Sequence, residues 1–265
     1  MKIVIDTTAA TLTRVSGDEE IAHGLYTKEA FEEISRQWVR VGWSLSYYHT
    51  FSWFGLPILQ LPEDLIRLQE VIYRLRPGVI VETGIYQGGS LLFHASLLEA
   101  IWPEAIGLEA IGAGRVVGVD REIPAAVREA IASHPLAKRI TLIEGDSTAP
   151  QTVAQVEKEV LDSAPVLVIL DSGHSRDHVA LELERYAPLV TPGSYIVATD
   201  GIMHDLSDVP RGQRDWATDN PLTAAREFTA RHPEFVEEQP PWPCYTGPLT
   251  KNVTYWPGAW LKRAG

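Results

Sequence analysis

Val79-Ile80-Val81-Glu82-Thr83-Gly84-Ile85-Tyr86-Gln87-Gly88-Gly89-Ser90 is the stretch that decides the fold of this chain. A short apolar run ends in an acid, turns through Gly84 and reaches a helix start at Gly88, Gly89 and Ser90. Read as strand, tight loop and helix, it sets backbone N–H groups and the Glu82 carboxylate at the carboxyl end of a parallel strand. Open α/β sheets bind nucleotide-like ligands at that end. Gly84 lets the loop backbone approach a ligand closely and adopt φ > 0. Glu82 can accept hydrogen bonds from a cationic amine. Tyr86 stands where a Gly-x-Gly-x-x-Gly loop would carry its second glycine, so this is not a dinucleotide fingerprint.

Downstream, strand-like runs at 79–82, 115–119, 140–144, 166–170 and 194–199 alternate with helical stretches near 90–101, 124–133, 150–162, 176–187 and 221–231. Continuous Val/Ile/Leu strands alternating with helices predict an α/β protein with a mostly parallel sheet covered on both faces. Residues 101–114 read as an extended helix and loop, and 240–248 as an ordered loop. Residues 252–262 read as a final strand, at the sheet edge or reversed into it. Upstream, Pro62 with Glu63 and Asp64 opens a helix whose apolar face is Leu65, Leu68, Ile72 and Leu75. Residues 27–41 read as an amphipathic helix with Phe31, Ile34, Trp38 and Val41 on one side. The aromatic run Trp43, Tyr47, Tyr48, Phe51, Trp53 and Phe54 reads as packing against the main domain, with one wall of a substrate pocket as the alternative.

Composition narrows the function. Net charge is −12 and no Lys/Arg cluster suited to phosphates stands out, which argues against nucleic acid as a partner. No apolar run approaches the ~20 residues that cross a bilayer, so no membrane role is expected. A single cysteine, Cys244, excludes an intramolecular disulfide and suits a reducing cytoplasm, the expected location.

Further strands end on groups suited to ligand chemistry. Asp120 closes the second, where a ribose is gripped through its two hydroxyls, although it lies further along than the ~20 residues usual for a dinucleotide fold. After the third, Asp146 or a backbone amide can contact an adenine ring, while Ser147 or Thr148 equally suits a helix cap. Asp171 ends the fourth strand with His174 three residues on, and Asp200 ends the fifth. Neighbouring parallel strands bring these carboxylates together, and their repulsion calls for a cation or a shared proton. An oxygen-rich set with no second cysteine suggests Mg²⁺, with Mn²⁺ or Ca²⁺ behind it, over zinc.

With these residues in place, from about Phe31 onward the chain resembles the cephalosporin hydroxylase/rhamnosyl O-methyltransferase family. The resemblance is carried by Trp53-Phe54-Gly55-Leu56-Pro57, Pro62-Glu63-Asp64-Leu65, Val81-Glu82-Thr83-Gly84, Gly88-Gly89-Ser90 and Asp171-Ser172-Gly173-His174. It continues in Asp177-His178-Val179, Pro192-Gly193-Ser194-Tyr195 and Asp219-Asn220-Pro221. It implies the Rossmann-like class I methyltransferase fold, with a seven-stranded sheet over residues 61–265 and a helical, aromatic extension at 1–60 packed on it. It also implies S-adenosylmethionine along Glu82, Gly84, Gly88, Gly89, Ser90, Asp120, Asp146, Ser147 and Asp171, and Mg²⁺ at Asp171 and Asp200. His174 occupies the position of the base in similar enzymes. Those often carry Glu-Asp where this chain has Thr199-Asp200, which leaves Asp205 or a water as the third metal ligand. Tyr48, Tyr86 and Trp216 are candidate acceptor contacts.

The implied activity is metal-assisted O-methylation of a small-molecule hydroxyl, most simply that of a rhamnosyl-type sugar on a natural product or surface glycan. The alternatives are a same-fold methyltransferase on a non-sugar natural product, as in antibiotic methoxylation, and a silent cofactor-binding partner protein. Members of such families often form homo-oligomers.

Overall fold

In a computed structural model that describes residues 1–102, 114–161 and 163–265, the chain opens on an antiparallel meander. Its strands are β1 (Lys2–Asp6), β2 (Thr11–Ser16) and β3 (Glu19–Gly24). This meander is absent from the sequence reading, because β1 and β3 bury neither face and so carry no clean alternation. Helix α1 (Lys28–Ser44) follows, capped by Thr27, whose Oγ1 accepts from the Ala30 N–H at 3.4 Å.

The helix lies where expected but is rotated. Ala30, Val39 and Trp43 are buried, whereas Phe31, Ile34, Trp38 and Val41 are 38–56% exposed, so the predicted apolar side is not the docking side. Ion pairs and Trp43 hold it instead. Arg36 and Arg40 reach Asp205, Arg40 also reaches Asp208, and Glu33 lies 4.0 Å from Arg14 of β2. A short hairpin, β4 (Ser52–Trp53) with β5 (Leu56–Pro57), leads into α2 (Pro62–Leu75).

The remaining elements are β6 (Val79–Thr83), α3 (Gly89–Ile101), β7 (Arg115–Asp120), α4 (Ala125–Ala132), β8 (Ile140–Glu144), α5 (Pro150–Val160) and β9 (Val166–Leu170). Then come α6 (Arg176–Tyr186), β10 (Tyr195–Ala198), α7 (Pro221–Arg231), β11 (Phe235–Glu237) and β12 (Trp260–Arg263). The main sheet has seven strands in the order β11-β12-β10-β9-β6-β7-β8. The β10-β9-β6-β7-β8 ladder is parallel, and β12 runs antiparallel to both of its neighbours. The final strand is thus reversed into the sheet, but it begins only at Trp260, later than residue 252. The expected helix and loop at 101–114 falls largely outside the described residues.

Alternation along the strands builds two cores. Ile80, Val116, Leu167, Ile169 and Val197 point to the face covered by α2 and α3, where Val39, Trp43 and Ile58 join them. Val79, Val81, Val117, Val168 and Ile196 point to the face covered by α5, α6 and α7. Both central strands, β6 and β9, are buried along their whole length, as continuous Val/Ile/Leu runs require. Asp64 in the first turn of α2 is 3% exposed and ties in a distant segment, accepting from the Thr254 hydroxyl and, at 2.8 Å, from the Tyr255 N–H.

Candidate active site

The sheet order reverses at β6, whose neighbours β7 and β9 lead to opposite edges, and a cleft of 840 Å³ opens at the carboxyl ends of these strands. Main-chain bonds continue past the strand ends and fix its floor. Gly84 N–H donates to Val119 O at 2.8 Å, Asp171 N–H to Thr83 O at 2.9 Å and Thr199 N–H to Leu170 O at 3.1 Å. At φ +80°, Gly84 lies so close to β9 that a Cβ would collide with the Asp171 carbonyl oxygen. Tyr86, in the glycine-like position of the loop, has φ 46° and a ring left 54% exposed at the cleft mouth.

At the β7 end, Asp120 Oδ2 accepts from the N–H groups of Ile85 (3.0 Å) and Tyr86 (3.3 Å). Its Oδ1 has only a 3.5 Å contact with Glu122 N–H, so that oxygen can accept from a ligand diol. Asp146 is held below the usual carboxylate range by the Thr148 hydroxyl and N–H. Beside it, Ser147 Oγ is 3.4 Å from His178 Nε2, which also lies 2.9 Å from Ser172 Oγ. The neighbouring Glu182 carboxylate raises the pKa of His178.

The other end of the cleft is acidic. Asp171, His174 and Asp200 each offer a ligand atom, and the three atoms lie within 4.8 Å of one another. His174 Nε2 stands 3.6 Å from Asp200 Oδ2. Burial pushes the Asp171 carboxyl well above its ordinary range, and the nearby Asp200 adds to it. Burial also raises Asp200 to about 7. Gln60 Nε2 donates to Asp171 Oδ2 at 2.8 Å, and the Thr199 hydroxyl donates to Oδ1. Two half-buried, mutually repelling carboxylates beside an imidazole are a donor set that fits a hard divalent cation.

Gly84, Ser90, Asp120, Asp146, Ser147, Asp171, His174, Asp200, Tyr48 and Tyr86 all line this cleft. The other expected residues do not. Glu82 is 1% exposed, and its side chain turns under the loop to within 3.3 Å of His94 Nδ1 on α3. It occupies the strand position facing α3 and not the cleft. Gly88 and Gly89 pack behind the loop, where a Cβ on Gly88 would press on Ile131 and one on Gly89 on the Pro57 carbonyl. Asp205 is not the third ligand: the turn Gly201–Asp205 carries it to α1, where Arg36 Nε binds Oδ2 at 2.7 Å. His174 is the third residue of the cluster. Trp216 packs edge-on against Trp43 at 6.2 Å and does not line the cleft.

Sequence reasoning missed Gln60, Ser172 and the cleft position of His178. Gln60 had no local signal, since only the tertiary fold brings it to Asp171. His178 was legible as the cleft-facing residue one turn into α6, after the Ser175 cap. Of the aromatic run, Trp43 and Tyr48 form a cleft wall, while Trp53 packs on Phe93 at 5.0 Å.

Among known proteins, the rhamnosyl O-methyltransferase of Mycobacterium leprae (strain TN) is 29% identical over 169 residues, 62% of this chain and 66% of that protein. That of Mycobacterium bovis (strain BCG / Pasteur 1173P2) is 27% identical over 164 residues, 58% of this chain and 60% of its own length. The chain therefore spans somewhat less than two thirds of these curated relatives. A solved CmcI structure described as its Mg-SAM form superposes with a TM-score of 0.53 at 19% identity, covering 82% of this chain and 78% of that one. At that identity the likeness speaks for the fold, a class I methyltransferase sheet. The family model described as rhamnosyl O-methyltransferase/CmcI matches residues 45–264, which include the loop, the acids at the strand ends and Tyr48 of the cleft wall, and the chain belongs to that family.

Proposed function

We propose that this protein is an S-adenosylmethionine-dependent O-methyltransferase, assisted by a divalent cation and acting on a sugar hydroxyl of the rhamnosyl type. The observation that carries the reading is the convergence of Asp171, His174 and Asp200 in the same cleft as the Gly84 loop and Asp120. Relatives named rhamnosyl O-methyltransferase support the acceptor class, and a CmcI structure described with Mg and SAM supports the cofactors.

The division of labour follows from the two ends of the cleft. Asp120 Oδ1 orients the nucleoside, with the Ile85 and Tyr86 amides fixing its other oxygen, and Asp146 and Ser147 border the base. Asp171 and Asp200 hold the cation, with Gln60 and Thr199 fixing the Asp171 oxygens. When bound, the sulfonium cofactor brings an activated methyl group and Mg²⁺ brings positive charge to the acceptor oxygen as its proton leaves. His174, at the rim of the acid cluster, takes that proton, as a positioned imidazole does. Trp43 and Tyr48 wall the acceptor side and give a deoxysugar face an apolar surface.

Titration calorimetry with S-adenosylmethionine, with and without Mg²⁺, followed by methyl transfer to a panel of rhamnosides, tests the reading. Binding that is lost in Asp120→Ala, with Mg²⁺-dependent methylation of a rhamnoside, is the expected result. No cofactor binding under either condition would sink the reading. Cofactor binding with turnover only on non-sugar hydroxyls would replace the acceptor class and keep the reaction.

A further inference from the structure

Gln60 sets a neutral amide beside the acid cluster. Its neighbours Ile58 and Leu61 are core residues, 4% and 0% exposed, and Gln60 itself is only 7% exposed. Leu59, just before it, has φ 52°, a left-handed backbone that a branched side chain adopts only under strain. That turn carries the Gln60 side chain out of the core and into the cleft, which both residues line.

The two ends of the amide are used unequally. Nε2 donates to Asp171 Oδ2 at 2.8 Å, and Oε1 accepts no hydrogen bond among the described residues. A half-turn about the last side-chain torsion exchanges the two ends and breaks only that one bond. The other Asp171 oxygen, Oδ1, accepts from the Thr199 hydroxyl, so Oδ2 is the oxygen left to meet a cation. Around a six-coordinate Mg²⁺ with bonds of about 2.0–2.1 Å, neighbouring oxygens lie about 3 Å apart. The 2.8 Å between the Gln60 amide head and Oδ2 matches that spacing. An N–H held there faces positive charge, whereas an amide carbonyl oxygen is an ordinary ligand for a hard cation.

The cluster also leaves a place to fill. An imidazole bound to a cation cannot take the acceptor's proton at the same nitrogen, so a His174 that serves as base leaves Asp171 and Asp200 as the donors. Asp205 is bound to Arg36 and does not join them. Gln60 brings an uncharged oxygen that adds no repulsion to two opposed carboxylates. On the cation-assisted reading above, we propose that Gln60 is itself a protein ligand of the cation. Its amide turns Oε1 to the ion in the loaded site and returns Nε2 to Asp171 when the ion leaves.

Mn²⁺ is the probe, because its electron spin resonance reports affinity and, by electron–nuclear double resonance in light and heavy water, the number of coordinated waters. Gln60→Met, which keeps the length of the side chain, should weaken Mn²⁺ binding at least about 10-fold and leave one more water on the bound ion. Gln60→Glu, which keeps an oxygen at that place, should bind Mn²⁺ at least as tightly as wild type with the wild-type water count. Melting curves and S-adenosylmethionine calorimetry on both variants show that the cleft is intact. Unchanged affinity in Gln60→Met, or weaker binding with an unchanged water count, overturns the ligand role. The second of these leaves Gln60 as a support that only positions Asp171. Wild-type protein that binds S-adenosylmethionine but no Mn²⁺ overturns the ligand role and cation assistance together, whereas the first two results leave cation assistance standing.

Discussion

His174 Nε2 lies 3.6 Å from Asp200 Oδ2 in the cleft, where it can accept a proton without leaving the acid cluster. His174→Ala should lower kcat by about 10²–10⁴-fold, the usual range for a lost general base, with S-adenosylmethionine affinity nearly unchanged. Parallel calorimetry and initial rates separate the two effects. Asp200 yields a pH prediction. Its folded pKa, raised to about 7 by burial, exceeds the ordinary carboxylate value, so the native state binds the proton more tightly than the unfolded chain. The metal-free protein is then most stable at acid pH and loses that contribution as pH rises through 7. Cation binding needs the charged carboxylate and releases the proton, so Mg²⁺ affinity should rise over the same window. Melting curves in EDTA and in Mg²⁺ at pH 5.5 and pH 8 should therefore trend in opposite directions. Residues reading as acids at strand ends were legible because a strand end fixes both position and direction. Glu82 was misplaced for the complementary reason: a strand residue faces one side or the other, and the loop motif did not say which.

At the scale of elements, α1 and α2 are tied down by carboxylates with different prospects. Asp205→Ala should cost about 1 kcal/mol, since its pairs with Arg36 and Arg40 lie only partly in solvent, and should leave metal affinity unchanged. A loss of metal binding in this variant would restore Asp205 as a ligand. Asp64 is buried, and burial raises its carboxyl to about 7, against the Thr254 and Tyr255 hydrogen bonds that favour the charged form. It too loses its contribution as pH rises, so Asp64→Asn should flatten the metal-free stability profile between pH 5 and 8, independently of Asp200. The central strands and the helices after α1 were legible to within a residue or two because both patterns are set by burial, while α1 runs three residues past the expected end. The meander β1–β3 and the short β11 were not, since neither displays a buried, periodic face long enough to register.

For the whole molecule, residues 27–60 belong to the same packing unit as the sheet. Val39, Trp43 and Ile58 lie in the core that Ile80 and Leu167 anchor, while Gln60 and Tyr48 reach the cleft. A chain restricted to residues 61–265 should consequently lose cooperative melting and cofactor binding, whereas one lacking only residues 1–24 should retain cofactor binding. Thermal denaturation with and without S-adenosylmethionine distinguishes these outcomes. The α/β class and the five parallel strands were readable from the alternation of apolar runs, whereas the count of seven came with the family resemblance, since β11 did not register. The outward apolar side of α1 was not readable, because amphipathicity gives a helix an apolar side without saying what that side meets.

The reversed strand β12 lies between β10 and β11, although both are synthesised before it. Until residues 260–263 leave the ribosome, β11 has no ladder partner in the sheet and the outer edge of β10 is open. At ~5–20 residues per second, the interval between Asp200 and the arrival of β12 is on the order of several seconds. During that time the acid cluster sits on an unfinished sheet with a bare edge. A nascent chain stalled before residue 260 should therefore be the species that chaperones hold, and one with residues 260–263 outside the ribosome the first that can complete the sheet.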